Sequence, residues 1–178
     1  ENGERYVLRE MLPSTALNWC KRRSFVHGCM VRARLSPHPH IVSSIDYGSR
    51  RCKPYELIEY VAGPSLRTMM NDEPDLVAEH AFQLVRQTVE ALGHIHELGW
   101  MHLDVKPENF LVVRDRGRIQ VKLTDFDLTM EAKEVRIRNP PGTLAYASPE
   151  MLKDGLVSPA ADIFAFGVMA YRLVTGKM

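Results

Sequence analysis

Only three cysteines occur in 178 residues, Cys20, Cys29 and Cys52. Their odd number and their spacing fit neither a disulfide framework nor a metal-binding pattern, which favours reduced thiols in a cytoplasmic compartment. No run reaches the roughly 18 apolar residues of a membrane span, and the N-terminus lacks the apolar segment of a signal peptide. An excess of one charge is also missing. With 23 Lys and Arg against 22 Asp and Glu, the formal net charge of +1 gives no electrostatic case for nucleic acid or an anionic membrane as partner. There is no internal repeat and no low-complexity tract. The chain opens on Glu1 rather than methionine, which points to a processed product or a piece of a longer chain.

What is present is the composition of an ordinary globular protein, 45% apolar and 25% charged, long enough for one domain with a substantial core or for two small lobes. Asn2-Gly3 is a tight-turn pair ahead of an apolar-rich strand at 6–12, and a hairpin turn there implies a partner strand upstream. Residues 21–35 read as a weak helix with Gly28 in its middle. "HIVSSIDY" (40–47) and "YELIEYV" (55–61) read as strands, and "AGPSL" breaks a strand-rich part from a helical one. From His80 to Leu98, Phe82, Val85, Val89, Leu92 and Ile95 follow the three-and-four spacing of an amphipathic helix. "NFLVV" and "IQVKLTDF" predict a hairpin with Gly117 in its loop. "ADIFAFGVMAYRLV" is apolar nearly all round, as a helix in the centre of a domain would be.

The densest chemistry is "MHLDVKPENFLV" (101–112), which holds His102, Asp104, Lys106 and Asn109 within eight positions. Asp104 and Asn109 precede one strand of the hairpin and Asp125 follows the other, so the three converge at one end of it. The two oxygen donors of Asn109 and Asp125 suit a hard cation such as Mg²⁺. That leaves Asp104 to orient or deprotonate a hydroxyl, and Lys106 to neutralise a transferring phosphoryl group.

At these residues the chain resembles the eukaryotic-type protein kinase family, in its Ser/Thr-directed and bacterial form. "HLDVKPEN" is similar to the catalytic loop, "DFD" (125–127) to the metal-binding motif, and "GTLAYASPE" (142–150) to the end of an activation segment. "SPAADIFAFG" resembles the start of the central helix, where Asp162 would hold the catalytic-loop backbone. "LSPHPHIV" and "YELIEYV" resemble the link after the regulatory helix and the hinge that contacts adenine. The resemblance implies an α+β, bilobal fold: a partial β-rich N-lobe at 1–61, with the phosphate loop missing, and a partial helical C-lobe at 62–178. It implies ATP and Mg²⁺ as cofactors and a protein substrate or partner. It assigns catalytic roles to Asp104, Lys106, Asn109 and Thr143, nucleotide contacts to Arg9, Glu59 and Val61, and metal binding to Asn109 and Asp125. Ile58 would precede the hinge.

The chain departs from that pattern at several positions. Arg9 stands where a phosphate-positioning lysine is expected, and the swap is not conservative. The glutamate that should pair with it falls at Gly28, or at Cys29 with a one-residue shift, and neither forms an ion pair. Arg9 therefore needs another carboxylate, and Asp125 and Asp127 are the nearest candidates. Leu103 replaces an arginine that receives a phosphorylated activation loop, and Asp127 replaces a glycine. Glu150, without the arginine expected after residue 178, is either solvated or belongs to an incomplete chain. Two functions remain: a Ser/Thr kinase, favoured by Asp104, Lys106, Asn109 and Asp125, and a pseudokinase serving as an interaction module, favoured by Arg9 and Gly28. A small-molecule phosphotransferase shares the His-x-Asp-x-x-x-x-Asn spacing, but "GTLAY" and "SPE" argue for a protein substrate. His38 and His40 belong to a structural link, and His94 and His96 point to different helix faces, so no histidine metal site is expected. Lys21, Arg22, Arg23, Lys133, Arg136 and Arg138 read as solvated charges, and Met69 and Met70 as packing.

Overall fold

The computed structural model describes residues 5–12, 18–115 and 117–177. The turn expected at Asn2-Gly3 lies outside them. Strands β1 (Tyr6–Glu10), β2 (Ser44–Arg50) and β3 (Lys53–Glu59) form an antiparallel sheet in the order β1-β3-β2. β2 begins later than its apolar sequence predicts, because Ile41 instead forms a bridge opposite Leu123, far along the chain, with the His40 carbonyl accepting the Leu123 N–H and the Val42 N–H donating to the Leu123 carbonyl. The β2–β3 turn places Arg51 and Cys52 at positive φ, the backbone a two-residue hairpin demands, and the Arg22 guanidinium donates to the Cys52 carbonyl at 2.7 Å.

Helix α1 (Trp19–Leu35) packs on this sheet. It starts where the Asn18 side chain accepts the Lys21 N–H, and stops at Ser36, which the following Pro37 keeps from the helical region. Phe25, Gly28, Cys29, Val31, Arg32 and Leu35 make its buried face at helical spacing. Gly28 does not break it.

The helical part opens with α2 (Leu66–Asp72), capped by Ser65, and α3 (Pro74–Glu97). Short strand β4 (Trp100–Met101) follows, then the hairpin of β5 (Phe110–Asp115) and β6 (Arg118–Leu123) with Gly117 at positive φ in its turn. Beyond it, β7 (Met130–Glu131) pairs with β4, β8 (Val135–Arg136) pairs with β9 (Leu156–Val157), and α4 (Pro149–Asp154) leads to α5 (Pro159–Thr175). One apolar core joins α1 to the rest through Leu35, Ile41, Leu84, Ile95, Phe110, Leu123, Phe126 and Met169.

Two sequence expectations need correction. In α3 the apolar stripe is only partly the buried face: Leu92 and Ile95 are buried and Val85 packs against the core, but Phe82 is 82% exposed and Val89 is exposed as well. Leu84, Gln87, Thr88, Ala91, Leu92 and Ile95 face inward, and Gln87 is accommodated because it donates to Ile119 O at 3.0 Å and accepts from Val121 N–H at 2.8 Å. In α5, Ala161, Asp162, Ala165, Met169, Arg172 and Leu173 are buried, whereas Ile163, Phe164, Tyr171 and Val174 are exposed among the described residues.

The "AGPSL" break lies against β5, with Val112 N–H donating to Pro64 O at 2.8 Å. A Cβ at Gly63 would sit 1.7 Å from the Val112 carbonyl oxygen, so strand and break must separate to admit one. Gly63→Ala is expected to lower stability by about 1–3 kcal/mol, the usual cost of overpacking a tight contact. Thermal unfolding that matches wild type would show that this contact yields freely.

Candidate active site

The loop between β4 and β5 is held from below by α5. Asp162, in the first turn of that helix and buried, accepts the backbone N–H groups of His102 at 2.6 Å and Leu103 at 2.7 Å, and His96 Nε2 lies 2.9 Å away. Those bonds fix Leu103 at φ +65°, a conformation rare for a bulky residue. Its side chain packs with Met101, Met151, Val157 and Ala161. The kink delivers the next residue, Asp104, to the surface of a cleft.

The structure brings Asp104, Lys106, Asn109 and Thr143 into one hydrogen-bonded cluster. Thr143 Oγ1 donates to Asp104 Oδ1 at 2.8 Å, and Lys106 Nζ stands 2.7 Å from Oδ2 and 2.9 Å from Thr143 Oγ1. Asn109 Nδ2 donates to the Asp104 carbonyl at 2.8 Å and to its carboxylate at 3.0 Å. Burial works to raise the Asp104 carboxyl, but hydrogen bonds from Lys106, Thr143 and Asn109 and the Lys106 charge outweigh it and hold the group below its ordinary value. The result is an ionised carboxylate at the rim of the cleft.

Asn109 and Asp125 flank the open end of the hairpin. Phe110 faces Leu123 in the β5–β6 register, and Thr124 N–H donates to Asn109 O at 2.9 Å, which ties the two positions together. With its amide nitrogen committed to Asp104, Asn109 keeps Oδ1 as a hard oxygen donor. Asp125, at φ +63°, enters no ion pair among the described residues. Two uncommitted oxygens suit a cation that retains water and phosphate ligands, so these residues fit Mg²⁺. Among the described residues no group of three or more His, Cys, Asp or Glu is placed to cage a metal. His38 stacks on His94 at 4.3 Å, and His94 Nε2 bonds Leu35 O.

Arg9 pairs with one of its two expected partners, Asp127, and with Glu56 in place of Asp125. Its guanidinium bridges Asp127 Oδ2 at 3.1 Å and Glu56 Oε2 at 2.8 Å; Asp125 is not in contact and acts only through its charge. Glu56 is the residue that sequence reasoning missed. It is 0% exposed, sits directly opposite Arg9 in the β1–β3 ladder, and is also held by buried Arg32 at 2.8 Å. The available signal was alternation: Pro54, Glu56 and Ile58 share the buried face of β3. Burial raises the Asp127 carboxyl; Arg9 counters that rise and Asp125 adds to it. Burial pushes the Cys29 thiol up to about 12, so Cys29 is a neutral packing group.

At the end of β3, where the hinge is expected, Glu59 uses its side chain structurally, accepting Lys122 Nζ at 2.6 Å and Ser43 N–H at 2.7 Å. The Val61 carbonyl accepts Gly63 N–H at 3.0 Å. Glu150 is partly open to water at the start of α4.

These elements agree with the comparisons to known proteins. A probable serine/threonine-protein kinase of Bifidobacterium longum, pknA2, is 34% identical over 144 residues, covering 79% of this chain and 19% of that protein. The serine/threonine-protein kinase PrkC of Bacillus subtilis is 33% identical over 144 residues, 79% of this chain and 22% of its own length. A calcium/calmodulin-dependent protein kinase type 1 from Macrobrachium nipponense is 30% identical over 176 residues, 99% of this chain and half of that protein. The chain thus spans about a fifth of the length of the first two relatives. The protein kinase domain family matches over residues 1–178, and with the loop, hairpin and helix assembled as above the chain belongs to that family.

Proposed function

We propose that this chain transfers the γ-phosphoryl group of ATP to Ser or Thr hydroxyls of protein substrates. The observation that carries this reading is the closed cluster of Asp104, Lys106, Asn109 and Thr143 beside an unpaired Asp125. Asp104 orients the substrate hydroxyl and takes its proton as the oxygen bonds to the γ-phosphorus and the bond to the ADP oxygen breaks. Lys106 offsets charge on the transferring group, and Thr143 holds the Asp104–Lys106 pair in register. Mg²⁺, held by Asn109 and Asp125, would supply charge neutralisation at the phosphates. Arg9 reaches the phosphates, while backbone groups of Glu59 and Val61 face adenine. In this reading residues 1–61 and 62–178 are the two lobes, with the nucleotide between them, and the three free thiols fit a cytoplasmic setting. No helix among the described residues is long and apolar enough to cross a membrane.

Phosphate transfer from labelled Mg²⁺-ATP to Ser- or Thr-containing peptides tests the proposal. Arg9 and Gly28 favour a second reading, a pseudokinase serving as an interaction module; Mg²⁺-ATP binding without turnover on any such peptide would establish it.

The same geometry predicts how regulation fails. Leu103 puts an apolar packed side chain where a phosphate-receiving cation would stand, Thr129 is buried, and the Thr143 hydroxyl is already used by Asp104 and Lys106. A phosphate at Thr129 or Thr143 has no place in this arrangement. Phosphatase treatment is therefore expected to leave activity within about twofold of the untreated protein, a change worth less than 1 kcal/mol in the barrier. A larger loss would show that another cation, such as Arg136 or Arg138, receives the group.

A further inference from the structure

We infer that Asp127 and Glu56 together anchor Arg9 as the nucleotide-positioning cation, and that Gly28 is what admits this relocated carboxylate. The inference rests on the nucleotide-binding reading above. It begins with a glycine that is otherwise unexplained. Gly28 lies in the middle of α1, where glycine costs helix stability and no unusual backbone angle calls for it. A Cβ built there would lie 2.6 Å from Asp127 Oδ1 and 3.0 Å from both the Asp127 backbone nitrogen and Cα. The backbone contacts at 3.0 Å ask for a shift of a few tenths of an ångström, whereas the 2.6 Å contact requires the Asp127 carboxylate oxygen to move. A side chain at position 28 thus displaces the Asp127 carboxylate from where it stands.

The space vacated at Gly28 is taken by the carboxylate that holds Arg9. One Arg9 nitrogen bonds Asp127 Oδ2 at 3.1 Å and the other bonds Glu56 Oε2 at 2.8 Å, so the fork spans two acids from different parts of the chain. Arg32 contacts the same Glu56 oxygen at 2.8 Å. Two guanidinium groups thereby balance two carboxylates, and a third acid on α1 would be both crowded and repelled. The arrangement also explains arginine at position 9. A single ammonium nitrogen does not reproduce a fork whose two nitrogens meet two separate carboxylates. Because Asp127 and Glu56 hold Arg9, Asp125 stays free of it and available to a metal.

The exchange is tested by moving the carboxylate back to the helix in the full chain. Mg²⁺-ATP affinity by calorimetry and Tm without nucleotide are compared for wild type, Asp127→Asn, Asp127→Gly, Gly28→Glu and Gly28→Glu/Asp127→Gly. Asp127→Asn keeps the shape and is expected to weaken Mg²⁺-ATP about tenfold, the scale of one charge-assisted hydrogen bond. Gly28→Glu alone is expected to lower Tm sharply or fail to fold. The double variant is expected to fold and to bind Mg²⁺-ATP within about threefold of wild type, inside the usual scatter of additivity. A double variant that binds no better than Asp127→Gly overturns the inference. If wild type itself binds no Mg²⁺-ATP, the proposed function falls, and Tm alone decides the anchoring: Arg9→Met and Asp127→Asn must then be non-additive. Additive losses overturn it.

Discussion

Asp104→Asn is expected to reduce phosphoryl transfer by about 10²–10⁴-fold, the usual contribution of a positioned general base. The amide has nearly the shape of the carboxylate but cannot take the hydroxyl proton, and it leaves Lys106 without its counter-charge at 2.7 Å. Nucleotide affinity should change little, because Arg9, Asn109 and Asp125 carry those contacts in the proposed reading. The sign of the pH dependence follows from the environment. The folded-state pKa of Asp104 is depressed by Lys106, Thr143 and Asn109 against the opposing effect of burial. Its stabilising contribution is therefore complete above the unfolded value, about 3.9, and is lost as pH falls through the lower folded-state value. Any acid limb in the rate that belongs to Asp104 should lie below about pH 4. Single-turnover transfer together with the Mg²⁺-ATP dissociation constant checks both statements. Equal turnover by wild type and Asp104→Asn would remove Asp104 from the chemistry.

Asp162→Ala should cost more stability than any change at the rim of the cleft. It strands the buried N–H groups of His102 and Leu103 and removes the partner of His96. Each buried donor left unpaired costs about 1–3 kcal/mol, so the two together cost about 2–6 kcal/mol. That is a large share of the roughly 5–15 kcal/mol by which a domain is stable. Catalysis should suffer even where the variant remains folded. Without Asp162 the hydrogen bonds that fix Leu103 at positive φ are lost, and Asp104 is the next residue. A displacement of 1 Å at the reacting groups is enough to lose about 10²-fold. Asp162→Asn, which keeps one acceptor oxygen, should fall between wild type and Ala in both Tm and rate. Asp162 is a positioning residue, so rate should fall while Mg²⁺-ATP affinity holds. An unchanged Tm for Asp162→Ala would show that the loop is held elsewhere.

The sequence by itself determined the family, the order of elements and the residues that meet at the Asp104 cluster. Proximity along the chain accounts for Asp104, Lys106 and Asn109, which lie within one loop, and for Asp125, which a short hairpin brings back to it; Thr143, 39 residues from Asp104, was assigned by the family resemblance. Period and turn residues read such local structure directly. The sequence offered Asp125 and Asp127 as partners for Arg9; only the tertiary structure chose Asp127 and added Glu56. These two partners lie 47 and 118 residues away, and only the β1–β3 register and the approach of α1 to Asp127 bring them together. It also decided which face of α3 is buried. Spacing identified an apolar stripe, but burial depends on which neighbour covers a position, and β6 covers Gln87 while Phe82 and Val89 stay exposed. Gly28 shows the limit most clearly. As a letter in the chain it is a missing carboxylate, and in the folded protein it is the gap that another carboxylate fills, because excluded volume is set by contacts between segments a hundred residues apart.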